Sequence, residues 1–402
     1  MNIHSCWVAV LGLLLAVQSS LADEVKSAKE ALEKGKVLLD KSEFDSAIAA
    51  FNEAIRLDPK SAEAYWKRGR AYDEKGDHEK AIADCTEAIR LDPKDAQAYY
   101  NRGRAYGQKG DVDKSIADND EAIRLDPKLA NAFVNRGIAY AIKGDYDKSI
   151  ADNDEAIRLD PKLAKAFGNR GIAYASKGDY DKAIADFTER IRLDPKDAKA
   201  HCYRGMAYER KGEFDNALTD CSEAIRLNPK CAEAFCGRGI VYGEKGDLDK
   251  AVADCTEAIR LDPKLPQGHY NRGKAYLEKG EHDKAVVDLS EGIRLEPQSS
   301  ETYWARACAY EGKGEFDKAI ADCDKAIEIN PKSTGAYEMR GYVHSKKGDF
   351  DKAVADYSEV IRLNSKYAPA YYGRGYAYWQ KGEQAKADED FARAKRLGYE
   401  PE

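Results

Sequence analysis

Small and apolar residues recur along this chain in pairs of stripes separated by polar turns. In AEAYWKRGRAYDEK (62–75), Tyr65, Gly69 and Tyr72 fall at the three- and four-residue spacings of one helix face. Gly76 then supplies a left-handed stop, and Asp77 is placed to cap a second helix, HEKAIADCTEAIRL (78–91). Asp92 and Pro93 close that helix, because proline disfavours helical geometry in the residue before it. The pattern predicts two amphipathic helices joined by a short turn.

The same pair repeats every 34 residues without a slip. Pro59, Pro93, Pro127, Pro161, Pro195, Pro229, Pro263, Pro297 and Pro331 are spaced 34 apart, with Ser365 in the next place. After a short lead-in at 23–27, eleven blocks follow, 28–61, 62–95 and onward to 334–367 and 368–401. Gly69, Tyr72, Ala81, Ala88 and Pro93 carry a signature that the later blocks largely repeat. It resembles the tetratricopeptide repeat. The resemblance implies an all-α fold, a right-handed superhelical solenoid of antiparallel helix pairs, each repeat burying its face on its neighbours. It also implies a concave groove lined by the first helix of each pair.

One departure recurs. Arginine stands before the glycine, where the family usually has an apolar residue: Arg68, Arg102, Arg136 and Arg170, and so on through Arg374. An aspartate stands 16 residues later in each case: Asp84, Asp118, Asp152 and Asp186, through Asp390. Block 1 lacks both, with Lys34 and Ala50. Residues gained and lost together are expected to form structural ion pairs, within a repeat or across to the next. The alternative is two independent solvated charges, which contribute little.

The stretch DNDE, at 118–121 and again at 152–155, has the composition of a calcium ligand set. Consecutive helical residues point about 100° apart, so they do not converge on one cation. The alternating ligands, central glycine and terminal glutamate of an EF-hand loop are missing as well. Asp118, Asp120 and Glu121 are read as helix-surface residues, Asp118 tied to an arginine, whereas Asn119 and Asn153 occupy a core position held elsewhere by Phe51, Phe187 or cysteine. A buried carboxamide must find hydrogen bonds or weaken its repeat.

The 402 residues carry 72 acidic and 65 basic side chains, net charge −7. That balance lacks the basic stripe nucleic-acid binding requires. No HExxH, GxSxG or phosphate-loop pattern occurs, so the expectation is no enzyme, no cofactor and no small-molecule substrate. Of the nine cysteines, Cys85, Cys221, Cys255 and Cys323 share the core position and read as small buried hydrophobes. The cluster His201, Cys202, Cys221, Cys231, Cys236 and Cys255 has no Cys-x-x-Cys pair, and no metal site is expected from it. The apolar run 7–17 followed by QSSLA reads as an export signal cleaved after Ala22, which places the chain in the periplasm or outside the cell. The n-region has no Lys or Arg, so an uncleaved membrane anchor through 7–21 is the alternative.

By resemblance, positions 2, 5, 6, 9 and 12 of each block line the groove. They hold Trp66, Arg70, Tyr100 and Arg104 early, then Val134, Ile138, Ile172 and Met206. Tyr270, Trp304, Tyr342, Tyr376 and Trp379 follow. Asn101, Asn135, Asn169 and Asn271 share position 6, like the asparagine ladder with which some long family members hold an extended peptide. No block carries the Lys at position 5 or the Asn at position 9 that the chaperone-tail clamp of the family uses. Two functions follow as expectations. One is an exported, non-catalytic scaffold like bacterial-type exported members of the family, binding extended peptide or protein partners. The other is a structural, self-assembling envelope module.

Overall fold

The computed structural model describes residues 25–399, so the expected signal or anchor at 1–22 lies outside the described residues. Among them are 22 helices and no strand. They form two compact units, one ending at Pro195 and the other beginning at Lys196. The first unit holds α1 (25–40), α2 (Phe44–Leu57), α3 (Ala62–Glu74), α4 (His78–Leu91) and α5 (Ala96–Lys109). It continues with α6 (Val112–Leu125), α7 (Ala130–Ile142), α8 (Tyr146–Leu159), α9 (Ala164–Ser176) and α10 (Tyr180–Leu193). The second unit holds α11 (Ala198–Lys211), α12 (Phe214–Leu227), α13 (Ala232–Glu244), α14 (Leu248–Leu261), α15 (Pro266–Glu278) and α16 (His282–Leu295). It ends with α17 (Ser300–Gly312), α18 (Phe316–Ile329), α19 (Thr334–Lys347), α20 (Phe350–Leu363), α21 (Ala368–Gln380) and α22 (Gln384–Arg396).

Each repeat turns on its glycine. Gly76 adopts φ +85°, and the turn closes as Asp77 N–H donates to the Tyr72 carbonyl at 2.9 Å. The Asp77 carboxylate then accepts from Lys80 N–H at 3.3 Å and caps α4. In the first repeat Ser42 takes the left-handed place, at φ +59°. The glycine at position 8 acts differently, by letting the two helices of a repeat meet. A Cβ on Gly137 would sit 2.7 Å from Asn153 Nδ2, an overlap that would force the buried amide out of place.

Within each unit the first helix of a repeat touches the first helix of the next, as α5 touches α7 and α19 touches α21. Among the described residues no second helix touches the second helix of the following repeat. First helices therefore lie on the closed side of the stack and second helices on the splayed side. The core runs along position 24, where Phe51, Cys85, Phe187, Cys221, Cys255, Leu289 and Cys323 are all buried. Asn119 and Asn153 are buried there too. Their Nδ2 atoms donate to the carbonyls of Ser115 and Ser149 at 2.7 and 2.8 Å, but each Oδ1 has no partner. The eight cysteines of the described residues are free thiols, and burial pushes Cys221 up to about 12 and Cys236 to about 11.

Candidate partner-binding groove

The ten recurrent arginines hold the framework on which the groove is displayed. In repeat 5, Arg170 Nε and Nη2 donate to Asp186 Oδ2 and Oδ1 at 2.9 and 2.6 Å, a bidentate pair between α9 and α10. Arg68–Asp84, Arg102–Asp118 and Arg136–Asp152 have the same geometry, as do the pairs of the second unit through Arg374–Asp390. The third nitrogen reaches back one repeat: Arg136 Nη1 to Asp120 at 2.6 Å, Arg170 Nη1 to Asp154 at 2.5 Å, Arg102 Nη1 to Thr86 at 3.2 Å. One guanidinium thus joins three helices.

This network accounts for DNDE. Asp118 pairs with Arg102, Asp120 with Arg136, and Glu121 with Arg124 at 2.5 and 2.8 Å. The three carboxylates diverge to three arginines. Asp118, expected on the surface, is buried, because its partner lies on α5 rather than in solvent.

Along the first helices the expected groove residues divide into displayed and enclosed. Trp66, Asn101 and Val134 are enclosed, with exposures of 8, 3 and 1 %. Trp66 packs with Cys85, Ala88 and Ala98, and Val134 with Phe133, Ala156 and Ala166. Asn101 turns inward and donates to the Gln97 carbonyl at 2.7 Å. Arg104 is tied down by Asp73 at 2.7 Å and Glu74 at 2.8 Å, whereas Arg70 stays half-exposed and makes no ion pair among the described residues. Tyr100 and Tyr270 are half-buried, and burial pushes both hydroxyls up. Ile138 and Ile172 are half-buried, Ile138 against the cluster of Phe133, Val134, Ala156 and Ala166, and Met206 is exposed.

Asn135 and Asn169 stand one repeat apart, half-buried, and neither Nδ2 has a hydrogen-bond partner. Asn271 differs, since its Nδ2 donates to Cys236 Sγ at 3.3 Å. In the second unit Trp304, Tyr342 and Tyr376 line a pocket of about 520 Å³, shared with Glu338, Met339, Tyr357, Tyr372 and Tyr399. Trp379 stands beside it, its ring 6.0 Å from that of Tyr376.

Tetratricopeptide repeat models match residues 32–96, 96–129, 130–163, 173–212, 198–231, 244–280, 266–299, 302–333, 323–355, 341–382 and 368–397. The chain belongs to the tetratricopeptide repeat family. No curated protein matches it. Among solved structures this tetratricopeptide repeat chain is similar to the APC/C hetero-tetramer Cut9-Hcn1, over 92% of its own length and 87% of that chain, at 14% identity and a TM-score of 0.52. That likeness is one of fold. It is also similar to a tetratricopeptide repeat protein from Parabacteroides merdae, at 22% identity over 59% and 94% of the two chains, TM-score 0.47. A third similarity is to YrrB, described as having an unusual peptide-binding site, at 24% identity over 46% and 95%, TM-score 0.38. Tetratricopeptide repeats generally serve as non-catalytic interaction scaffolds, commonly for protein or peptide partners.

Several residues that shape the groove were not expected from the repeat pattern. Glu338 sits at position 5 of its repeat, where every other repeat has an uncharged side chain. Gly335 and Gly373 open the pocket at positions 2 and 6. A Cβ on Gly373 would lie 2.5 Å from the Tyr357 ring, so only glycine lets that core tyrosine reach the groove wall. Arg190, where the recurrent small residue is expected, lies over Gly168, whose own position is bulky in most repeats. A large residue on one helix is matched by a missing side chain on its neighbour. No helix among the described residues is long and apolar enough to cross a membrane, and no group of three or more His, Cys, Asp or Glu is placed to hold a metal.

Proposed function

We propose that this chain is an exported scaffold that binds an extended peptide or protein segment along its first-helix face. The observation that carries the reading is the pair Asn135 and Asn169, two amides one repeat apart whose Nδ2 donors have no partner. A buried donor without an acceptor is costly in a free protein. Rotation about χ2 turns that nitrogen to a peptide carbonyl while the amide oxygen meets the next N–H. Ile138 and Ile172, one turn further along the same helices, offer apolar contact to alternate side chains of the bound segment. Export rests on the apolar run and small residues of 7–22, and cleavage after Ala22 makes Asp23 the mature N-terminus.

The test is capture of partners from the exported fraction by the wild-type chain and by Asn135→Ala/Asn169→Ala/Ile138→Glu, with sedimentation velocity on both. Partners lost from the variant, while both proteins sediment as the same species, support the groove. Partners retained, or self-association that the variant abolishes, favour the self-assembling module instead.

A further inference from the structure

We propose that the pocket of the last three repeats receives a cationic side chain, an arginine guanidinium or a lysine ammonium, from the bound peptide. The proposal rests on the groove reading and specifies what one end of the groove selects.

Two features of the pocket point to a cation. The first is its walls. Trp304, Tyr342, Tyr372 and Tyr376 come from positions 5 and 9 of three successive repeats and surround a space of about 520 Å³. Aromatic faces attract cations through the ring quadrupole. Tyr342 already shows this, because the Lys346 ammonium lies 5.1 Å from its ring centroid, at the exposed rim. Lys346 is itself part of the pocket lining, at the mouth, and makes no ion pair with Glu338 among the described residues.

The second feature is Glu338. In the ten Arg–Asp pairs a carboxylate drawn into the helix stack is matched by a guanidinium, and half-buried Asp95 is matched by the N–H groups of Gln97 and Ala98 at the start of α5. Glu338 is drawn in with neither. Its two oxygens accept only from the Tyr367 hydroxyl, at 2.9 and 3.0 Å, and no ion pair to it is present among the described residues. A half-buried carboxylate left with a neutral donor is only partly compensated. Glu338 lines the pocket of about 520 Å³, which is large enough for a long side chain together with part of its backbone. A guanidinium there would stack on the rings and complete the ion pair.

The experiment uses fluorescence anisotropy of a fluorescein-labelled heptapeptide, Ser-Gly-Leu-Arg-Leu-Gly-Ser, and its citrulline analogue, which has the same shape and no charge. Titrated with the full mature chain, the arginine peptide is expected to bind about tenfold or more tighter than the citrulline peptide. Glu338→Gln should erase that preference and leave citrulline binding unchanged, and Tyr342→Ala should weaken the arginine peptide. Far-UV circular dichroism and the melting temperature of each variant report folding; Glu338→Gln is expected to melt no lower than wild type, since it removes an only partly compensated charge. Equal affinity for the two peptides, absence of binding, or a preference that survives Glu338→Gln would overturn the proposal. If Glu338→Gln still captures every partner that Asn135→Ala/Asn169→Ala/Ile138→Glu loses, the groove stands and the cation pocket falls.

Discussion

Replacing Arg170 with leucine tests whether the arginine framework or the apolar core sets the stability of a repeat. The guanidinium is about 20% exposed and bridges Asp186 on α10 with Asp154 on the preceding repeat. Leucine keeps most of the packing against Phe167, over which the guanidinium lies at 5.6 Å. What it removes is the counter-charge of Asp186, a carboxylate only 5% exposed. Stranding a buried charge typically costs about 3–5 kcal/mol, and the partial exposure of the pair favours the lower end, about 3 kcal/mol. Asp154 is half in water and adds little. The same substitution at Arg158, whose pair with Glu155 is exposed, should cost far less, because water screens both charges. The double variant Arg170→Leu/Asp186→Leu should recover most of the loss, because neither charge is left alone.

Hydrogen exchange read by mass spectrometry on α8, α9 and α10 is the suitable assay, because repeat arrays open locally rather than all at once. Exchange of α9 and α10 in Arg170→Leu should accelerate about a hundredfold, the kinetic reading of 3 kcal/mol. Burial already pushes the Asp186 carboxyl up, so in the variant it takes a proton readily and the deficit should shrink toward pH 4. If Arg170→Leu and Arg158→Leu cost the same, or if the double variant is no better than Arg170→Leu, the arginines are solvated charges and the reasoning fails.

Asn119→Cys and Asn153→Cys install the residue used at the equivalent core position in four other repeats and remove the unpartnered Oδ1. Each should stabilise its repeat by about 1 kcal/mol, seen as slower exchange of α6 and α8. Burial raises the Glu338 carboxyl above its ordinary range, with Tyr367 acting in the opposite sense. A carboxyl raised on folding binds more protons folded than unfolded, so its contribution falls as pH rises from its unfolded value through its folded one. Glu338→Gln should therefore melt at or above wild type at pH 7 and converge with it below about pH 4. Among the thiols, Cys231 alone is lowered, by a hydrogen bond from Cys202, while burial raises Cys221, Cys236 and Cys308. Because Cys231 is buried as well, iodoacetamide under native conditions should modify Cys308, the least buried of the eight thiols, before it; labelling of Cys221 at the same rate as Cys308 would contradict the buried core.

Much of this protein is legible in its repeat. The spacing of Tyr65, Gly69 and Tyr72 predicts a helix that the structure places at Ala62–Glu74, and Gly76 and Asp92 bracket the next. Such features are periodic because every repeat meets the same backbone problem. The 16-residue offset between Arg170 and Asp186 is likewise visible in the sequence, since both are gained and lost together. What the sequence does not carry is the occupancy of space between neighbours. Trp66 and Val134 hold groove positions by number, yet adjoining first helices close over them. The third arm of Arg136, which turns Asp120 from a would-be metal ligand into an inter-repeat clasp, depends on a helix 16 residues back. The pocket around Glu338 exists because Gly335 and Gly373 leave room that Tyr357 and the aromatic residues frame. Periodicity determines which way a side chain points. Whether it is displayed depends on the volumes of residues one repeat away, and these do not repeat.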